Sequence, residues 1–428
     1  MAEVSRITRH PLRWVPTLYL ASGIPYAVVM FISVIMYKKM GISNTDIALY
    51  TSWLYLPWVI KPLWSPLVDI LRTKRLWIIF MQFLIGVALA SVAFTIPLDR
   101  FFQVTLALLW LLAFSGATQD IAADGFYMLA LDQGTQAQYI GLRVTFYRIA
   151  MVTAQGLLVV LAGNLEKITG IALSWSITFA FIAALFFLLA LYHMFFLPRP
   201  AADISSDFHA AGGFLKEFLA TFFEFFTKKQ TGIIVLFLLV FRINESQLVK
   251  LMAPFMLDSR EIGGLGLSTA DVGFAYGVVG IISLLAGGIA GGIVIAKQGL
   301  RFWLLPMALI MHIADVVFIL LSYFQPENLA LISAAVGFEQ FTYGFSNAAY
   351  TMFMIMVSEG AHKTAHYAIC TGLMALGMML PGMASGAFQE MLGYRSFYLA
   401  VFLTIIPALV ITLGVKVDTD YGRKKEAA

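Results

Sequence analysis

The sequence predicts an all-helical membrane protein: twelve transmembrane helices in two six-helix bundles, with both termini cytoplasmic. Three observations carry this expectation. First, 60% of the 428 residues are hydrophobic and only 12% are charged, against about 25% charged in an ordinary soluble domain. A water-facing surface built from this mixture would expose large apolar patches. That excludes a soluble enzyme, a disordered chain and a nucleic-acid-binding domain. Second, the apolar residues fall in long continuous runs. A spanning helix needs about 20 of them, whereas membrane strands would alternate over ~10-residue segments. Third, with the N-terminus inside, the cytoplasmic loops carry about threefold more Lys and Arg than the outer ones.

The first run, 14–37, follows Arg6, Arg9 and Arg13. It is too long for a signal-peptide core and lacks a small-residue cleavage pattern, so it is read as a retained helix. The next five runs lie at 46–68, 75–96, 101–130, 138–163 and 171–196. Leu197-Pro198-Arg199-Pro200 ends the sixth, because proline lacks an amide donor and fixes φ. Six more runs follow at 231–256, 269–296, 301–323, 328–357, 363–390 and 394–416. The chain thus divides into an N-terminal bundle (1–196), a cytoplasmic linker (197–230), a C-terminal bundle (231–416) and a cytoplasmic tail (417–428). Within the linker, 214–226 mixes Phe with charges and reads as an interfacial amphipathic helix.

The inner loops take Arg72, Lys74, Arg75, Arg143, Lys228, Lys297 and Arg301, and the outer loops Lys38, Lys39 and Arg260. Gly23-Ile24-Pro25 should interrupt helix 1. Gly287-Gly288 and Gly291-Gly292 favour close packing of helix 8. The single cysteine, Cys370, excludes an intramolecular disulfide and a multi-cysteine metal site.

Ionisable residues inside the spans are the informative ones, since each costs at least ~2.5–3.5 kcal/mol at a helix centre unless it faces an interior or a water-filled path. The first cluster is Lys61 in helix 2, Gln119, Asp120 and Asp124 in helix 4, and Tyr147 and Arg148 in helix 5. Asp120 and Asp124 are four apart and share a helical face. At 1.5 Å per residue, Lys61 lies roughly 10 Å and Arg148 roughly 15 Å from the cytoplasmic ends of their helices. Two cations and two anions therefore meet at similar depth. Two readings stay open and can coexist: a charge network closing an inner gate, or a path for an anionic or polar substrate.

The second cluster is Arg242 and Glu245 in helix 7 and Glu339 in helix 10, all near the midplane. Arg242 is expected to sit between, or alternate between, the two carboxylates. Such a group suits proton coupling, with a static buried ion pair as the other reading. His312 and Asp315 in helix 9 are expected to make a helix-to-helix hydrogen bond. Lys250, toward the outer end of helix 7, is expected to snorkel to the headgroups.

The basic turns between helices 2 and 3 (Asp69, Arg72, Arg75) and between helices 8 and 9 occupy matching places in the two halves. Two six-helix halves with such turns resemble the major facilitator superfamily of secondary transporters. The resemblance implies a substrate cavity between the halves and makes the first turn a gate element. More narrowly, Ser22-Gly23-Ile24-Pro25, Lys61-Pro62-Leu63-Trp64-Ser65-Pro66-Leu67-Val68-Asp69, Thr118-Gln119-Asp120, Tyr147-Arg148, Arg242-Ile243-Asn244-Glu245 and Phe338-Glu339 resemble segments of AmpG-type permeases. A family member carries Lys and Asp where this chain has Arg242 and Glu245, so the charge signs are kept. The resemblance implies proton-driven import of muropeptides across a bacterial inner membrane. The wider group also carries siderophores and acyl-CoA.

Protons, the substrate and the bilayer are the expected partners, of a monomer, with no nucleic acid and no cofactor. No Gly-x-x-x-x-Gly-Lys-Ser/Thr loop is present to bind a nucleotide, and no His-Glu-x-x-His to make an intramembrane zinc protease. The linker is too short for a sensor's signalling domain.

Overall fold

A computed structural model describes residues 10–201, 203, 222–359, 363–419 and 421–423. Its regular structure is helical throughout these residues. Helix α1 (Val15–Ala27) passes through a wide π-helical turn, Val28–Ile32, into α2 (Ser33–Lys39). Gly23-Ile24-Pro25 therefore does not end the first helix. Pro25 stays inside α1, and the hydrogen-bond ladder shifts to a wider spacing just beyond it.

The second run splits at Leu54-Tyr55 into α3 (Asn44–Trp53) and α4 (Leu56–Leu71). Then come α5 (Lys74–Thr95), α6 (Phe101–Ala130) and α7 (Gln133–Val152), the last running through a π-helical turn, Thr153–Leu158, into α8 (Val159–Thr169). Helix α9 spans Ile171–Phe196.

The later elements are α10 (Thr231–Val240), α11 (Ile243–Leu257) and α12 (Thr269–Val272), which continues by a π-helical turn, Gly273–Gly280, into α13 (Ile281–Gln298). They are followed by α14 (Leu300–Ala314), α15 (Val316–Phe324), α16 (Leu329–Ser358), α17 (Lys363–Leu403) and α18 (Ile405–Gly414). Gly393, at φ 71°, breaks α17 where the last two apolar runs meet. Among the described residues, nine stretches are long and apolar enough to cross a membrane, and the chain is a multi-pass membrane protein. Of the expected amphipathic segment at 214–226, only 222–226 is described and is helical; 214–221 lies outside the described residues.

The chain forms two compact units. One is Met1–Phe31, Ile60–Ala154 and Leu165–Leu215; the other is Ile32–Val59, Gln155–Asn164 and Lys216–Ala428. In the first unit α5 packs on α6 and α9, and α1 on α7 and α6. Trp14, Leu18, Ile78, Phe126 and Leu197 form its apolar core. A buried polar tie crosses that core. His193 of α9 bonds Gln82 of α5 (2.7 Å) and Thr17 of α1 (2.9 Å) through its two ring nitrogens, satisfying groups that are costly to bury alone. The carboxylate of Asp203 accepts from the first amides of α5, Lys74 N (2.7 Å) and Arg75 N (3.0 Å), where unpaired N–H groups and the helix dipole favour an anion. At the start of α7, hydrogen bonds from Thr135 hold the Asp132 carboxyl below the usual carboxylate range.

In the second unit α16 packs on α13 and α14, and α17 on α3 and α11. The α13–α16 contact is backbone to backbone. A methyl group added at Gly287 would run into the Phe341 carbonyl oxygen, and one at Gly344 into that of Leu284. Small residues permit this approach in lipid, where helices associate by contact rather than by a hydrophobic drive. Around Phe237, Phe241, Tyr350 and Phe353 an aromatic core surrounds the α10–α11 break. There the Tyr350 hydroxyl donates to the Leu238 carbonyl (2.6 Å), occupying a helix-end acceptor that water cannot reach.

Candidate functional site

The first polar cluster lies wholly within the first compact unit. A cavity of about 340 Å³ is lined by Tyr19, Lys61, Asp120, Asp124, Arg143, Tyr147 and Arg148, among others. Lys61 Nζ is 3.8 Å from Asp120 Oδ2. Asp124 Oδ1 accepts from Arg143 Nη2 (2.8 Å) and from the Tyr19 hydroxyl (3.2 Å). The Arg143 guanidinium also lies over the Tyr19 ring, 4.6 Å from its centroid.

The structure thus brings Lys61, Asp120, Asp124, Tyr147 and Arg148 to one cavity and adds Arg143. That arginine, expected among the loop charges although it falls near the start of the run at 138–163, lies inside α7, which begins earlier, at Gln133. Gln119 does not line the cavity. It is fully buried in α6, and neither amide atom has a hydrogen-bond partner. Three cations and two carboxylates give the cavity a net positive charge suited to an anionic or zwitterionic polar ligand.

The second cluster lies within the second unit. Arg242 occupies the break between α10 and α11, at φ −112° and ψ 26°. It forms no ion pair with Glu245 or Glu339 among the described residues; its guanidinium instead lies 4.8 Å from the Tyr343 ring centroid. From the break its charge still acts on Glu245, while its guanidinium stacks on α16 rather than bridging the two acids as expected. Glu245 and Glu339 are 1% and 2% exposed and face one another closely enough to interact. Gln340 Nε2 donates to Glu339 Oε2 (2.9 Å), and the Glu245 carboxyl lies against that of Glu339. Asp315 Oδ2 accepts from Asn244 Nδ2 (2.6 Å), the helix-to-helix bond expected of helix 9.

A third group joins residues that carry no local signal, since Lys38 is expected in an outer loop and the rest of the group, Asn44 apart, lies far along the chain. Lys38 Nζ pairs with Asp258 Oδ1 (2.6 Å) and donates to Asn44 Oδ1 (2.8 Å). Tyr394 donates to Asp258 Oδ2 (2.6 Å), and Asn44 Nδ2 donates to Gln389 Oε1 (2.6 Å). Replacing Asp258 with Asn is expected to lower stability by about 3 kcal/mol, because it strands the Lys38 ammonium. Adding Lys38→Met should recover most of that loss. Thermal midpoints in detergent check both, and equal losses in the single and double variants would dismiss the ion pair. Lys250 does not snorkel. It is 7% exposed, and its ammonium donates to Thr51 Oγ1 (3.1 Å) of α3, because α3 and α17 cover this face of α11.

At the turn between α4 and α5, Arg72 is exposed. Arg75 donates to the carbonyls of Met194 (2.5 Å) and Leu197 (3.4 Å), tying α5 to the end of α9. The side chain of Asp69 lies outside the described residues, as does that of Pro62.

The Major Facilitator Superfamily profile matches residues 17–367, and the chain belongs to that superfamily. It is a transporter rather than an enzyme. Among curated proteins it is 25% identical to the anhydromuropeptide permease of Escherichia coli K12, an alignment covering 94% of this chain and 79% of that one. It is 24% identical to the putative transporter AmpG 4 of Rickettsia conorii, over 92% of this chain and 94% of that one. Solved structures share the fold. A bacterial homolog of the human lysosomal transporter Spinster, in an inward-facing and unoccupied conformation, matches with a TM-score of 0.70 at 16% identity over 96% of each chain. The nucleoside transporter NupG matches with a TM-score of 0.62 at 15% identity over 95% of this chain and 99% of its own.

Proposed function

We propose that this chain imports muropeptides, the anhydro-disaccharide peptides of cell-wall turnover, across a bacterial inner membrane by proton-coupled alternating access. The observation that carries the reading is its similarity, along 94% of its length, to a protein named as an anhydromuropeptide permease. In this reading the chain crosses the bilayer twelve times with both termini cytoplasmic. It works as a monomer, with bundles at 1–196 and 231–416 joined by the linker at 197–230 and followed by the tail at 417–428.

Lys61, Arg143 and Arg148 meet the carboxylates of the peptide, Asp120 and Asp124 its amine, and Tyr147 offers a ring for stacking. Gln119, buried in α6 outside the cavity, takes no part in substrate contact in this reading. The 3.8 Å pairing of Lys61 with Asp120 also favours an inner-gate role, since an incoming anion competes for the same lysine. Asp69, Arg72 and Arg75 form the gate turn.

Proton coupling falls to Glu245 and Glu339. Two facing carboxyls hold one proton more readily than two charges, and Arg242 offsets what charge remains. The test is uptake into proteoliposomes under an imposed pH gradient, with an anhydro-muropeptide and a siderophore side by side. Gradient-driven uptake of the muropeptide alone is expected. Indifference to the gradient would remove proton coupling, and preference for the siderophore would reassign the substrate.

A further inference from the structure

Asp315 is a third acid in the C-terminal half that the coupling pair leaves unused. It sits where α14 gives way to α15 and is 2% exposed. From α11 come Asn244, which donates to Asp315 Oδ2 at 2.6 Å, and Glu245, which acts on it electrostatically. From α14 comes His312, whose Nδ1 is 3.9 Å from the same oxygen. His312 is fully buried, and neither of its ring nitrogens has a hydrogen-bond partner. From α16 comes Glu339, which feels the charge of Asp315. Tyr276, in the π-helical turn before α13, faces the glutamate pair. Farther along α11, Lys250 turns away to Thr51.

The charge count decides what this cluster can hold. Glu245, Glu339 and Asp315 bring three carboxyl groups against the single guanidinium of Arg242. Fully ionised, with His312 neutral, the group would carry two uncompensated negative charges inside an apolar bundle, which membrane interiors do not retain. One proton on the glutamate pair removes one of them. The other must be neutralised at the remaining acid or at the histidine beside it.

We propose that Asp315, with His312 as its neighbouring base, is a second proton-binding site of the transport cycle, linked to the Glu245–Glu339 pair through Asn244. The inference rests on the proton-coupled reading above. A proton enters from water, forms an O–H on Asp315 or an N–H on His312, and leaves to water on the other side. No bond between heavy atoms changes. Asn244 and Glu245 are adjacent on α11, so any rotation of that helix moves the donor to Asp315 and one member of the pair together.

The experiment measures steady-state accumulation of a radiolabelled anhydro-muropeptide in proteoliposomes at clamped zero voltage across a series of pH gradients. Two coupled protons make accumulation rise about a hundredfold per pH unit, and one proton about tenfold. The wild type is expected to follow the steeper law. Asp315→Asn, which keeps an acceptor for Asn244, should follow the shallower one while retaining exchange of labelled for unlabelled substrate. A tenfold slope in the wild type overturns the second site, even if no variant folds. A hundredfold slope that persists in Asp315→Asn overturns the assignment to Asp315. A flat wild-type response is a different result: it refutes proton coupling itself.

Discussion

Glu339→Gln is expected to abolish gradient-driven uptake and to spare substrate exchange. The change is nearly isosteric, and the new amide oxygen can still accept from Gln340, which now donates to Glu339 at 2.9 Å. What is lost is a group able to gain and release a proton beside Glu245. Net uptake against a gradient requires that release on each turn of the cycle, whereas exchange returns the carrier loaded and moves no net proton. Accumulation should fall to its value without a gradient, a loss of at least about tenfold under one pH unit. Exchange should stay within about twofold, as expected where binding itself is intact. Normal driven uptake in this variant would remove Glu339 from the mechanism. Loss of exchange as well would place it in substrate binding instead.

Gly344→Leu should be strongly damaging to the fold. The Cβ alone would strike the Leu284 carbonyl oxygen, a backbone atom with no rotamer to escape into. Gly287 and Gly291 meet Phe341 and Phe345 of α16 in the same manner, so the whole α13–α16 seam is set to backbone contact. Overpacking a core with extra methylenes typically costs 1–3 kcal/mol. Here a whole side chain meets a rigid backbone, and a loss above about 3 kcal/mol is expected. Gly292 provides the contrast, since nothing lies within 4 Å of a Cβ added there. Gly292→Leu should therefore be neutral, or slightly stabilising through helix propensity. Monodispersity and thermal midpoint in detergent compare the two. Equal tolerance at both positions would show that the seam can open without cost.

The helical runs were legible because about twenty apolar residues in sequence have few other uses. The first ten expected runs each coincide with a helix or a pair of helices, and the last two share α17 and α18. The breaks inside them were not legible. Phe241-Arg242 and Asp315 interrupt helices without proline or glycine, because what stabilises each break is a partner far along the chain: Tyr350 at the Leu238 carbonyl, Asn244 at Asp315. Conversely, Pro25 announced a break, and the helix widened instead.

Composition located the charges that matter but not their neighbours. Helical spacing put Asp120 and Asp124 on one face, and both line the cavity. Nothing local said that Lys250 would meet Thr51, 199 positions away, or that Arg242 would lie over Tyr343. Arg143 could have been found by noting that it stands five residues before Arg148 in a helix whose polar start, opened by Asp132, is a capping signal rather than a loop.

The π-helical turns at Val28–Ile32 and Thr153–Leu158 stand where the chain changes compact unit, between Phe31 and Ile32 and between Ala154 and Gln155. Another change, after Val59, follows closely on the broken turn at Leu54-Tyr55, and one more, after Asn164, falls inside α8 without a break. An unbroken α-helix is a stiff rod that carries a displacement whole from end to end. A wide turn, with its hydrogen bonds re-registered, yields locally at lower cost. These spans are therefore jointed struts. Each arm at these two turns belongs to the unit it packs in, and the wide turn is the place where bending costs least.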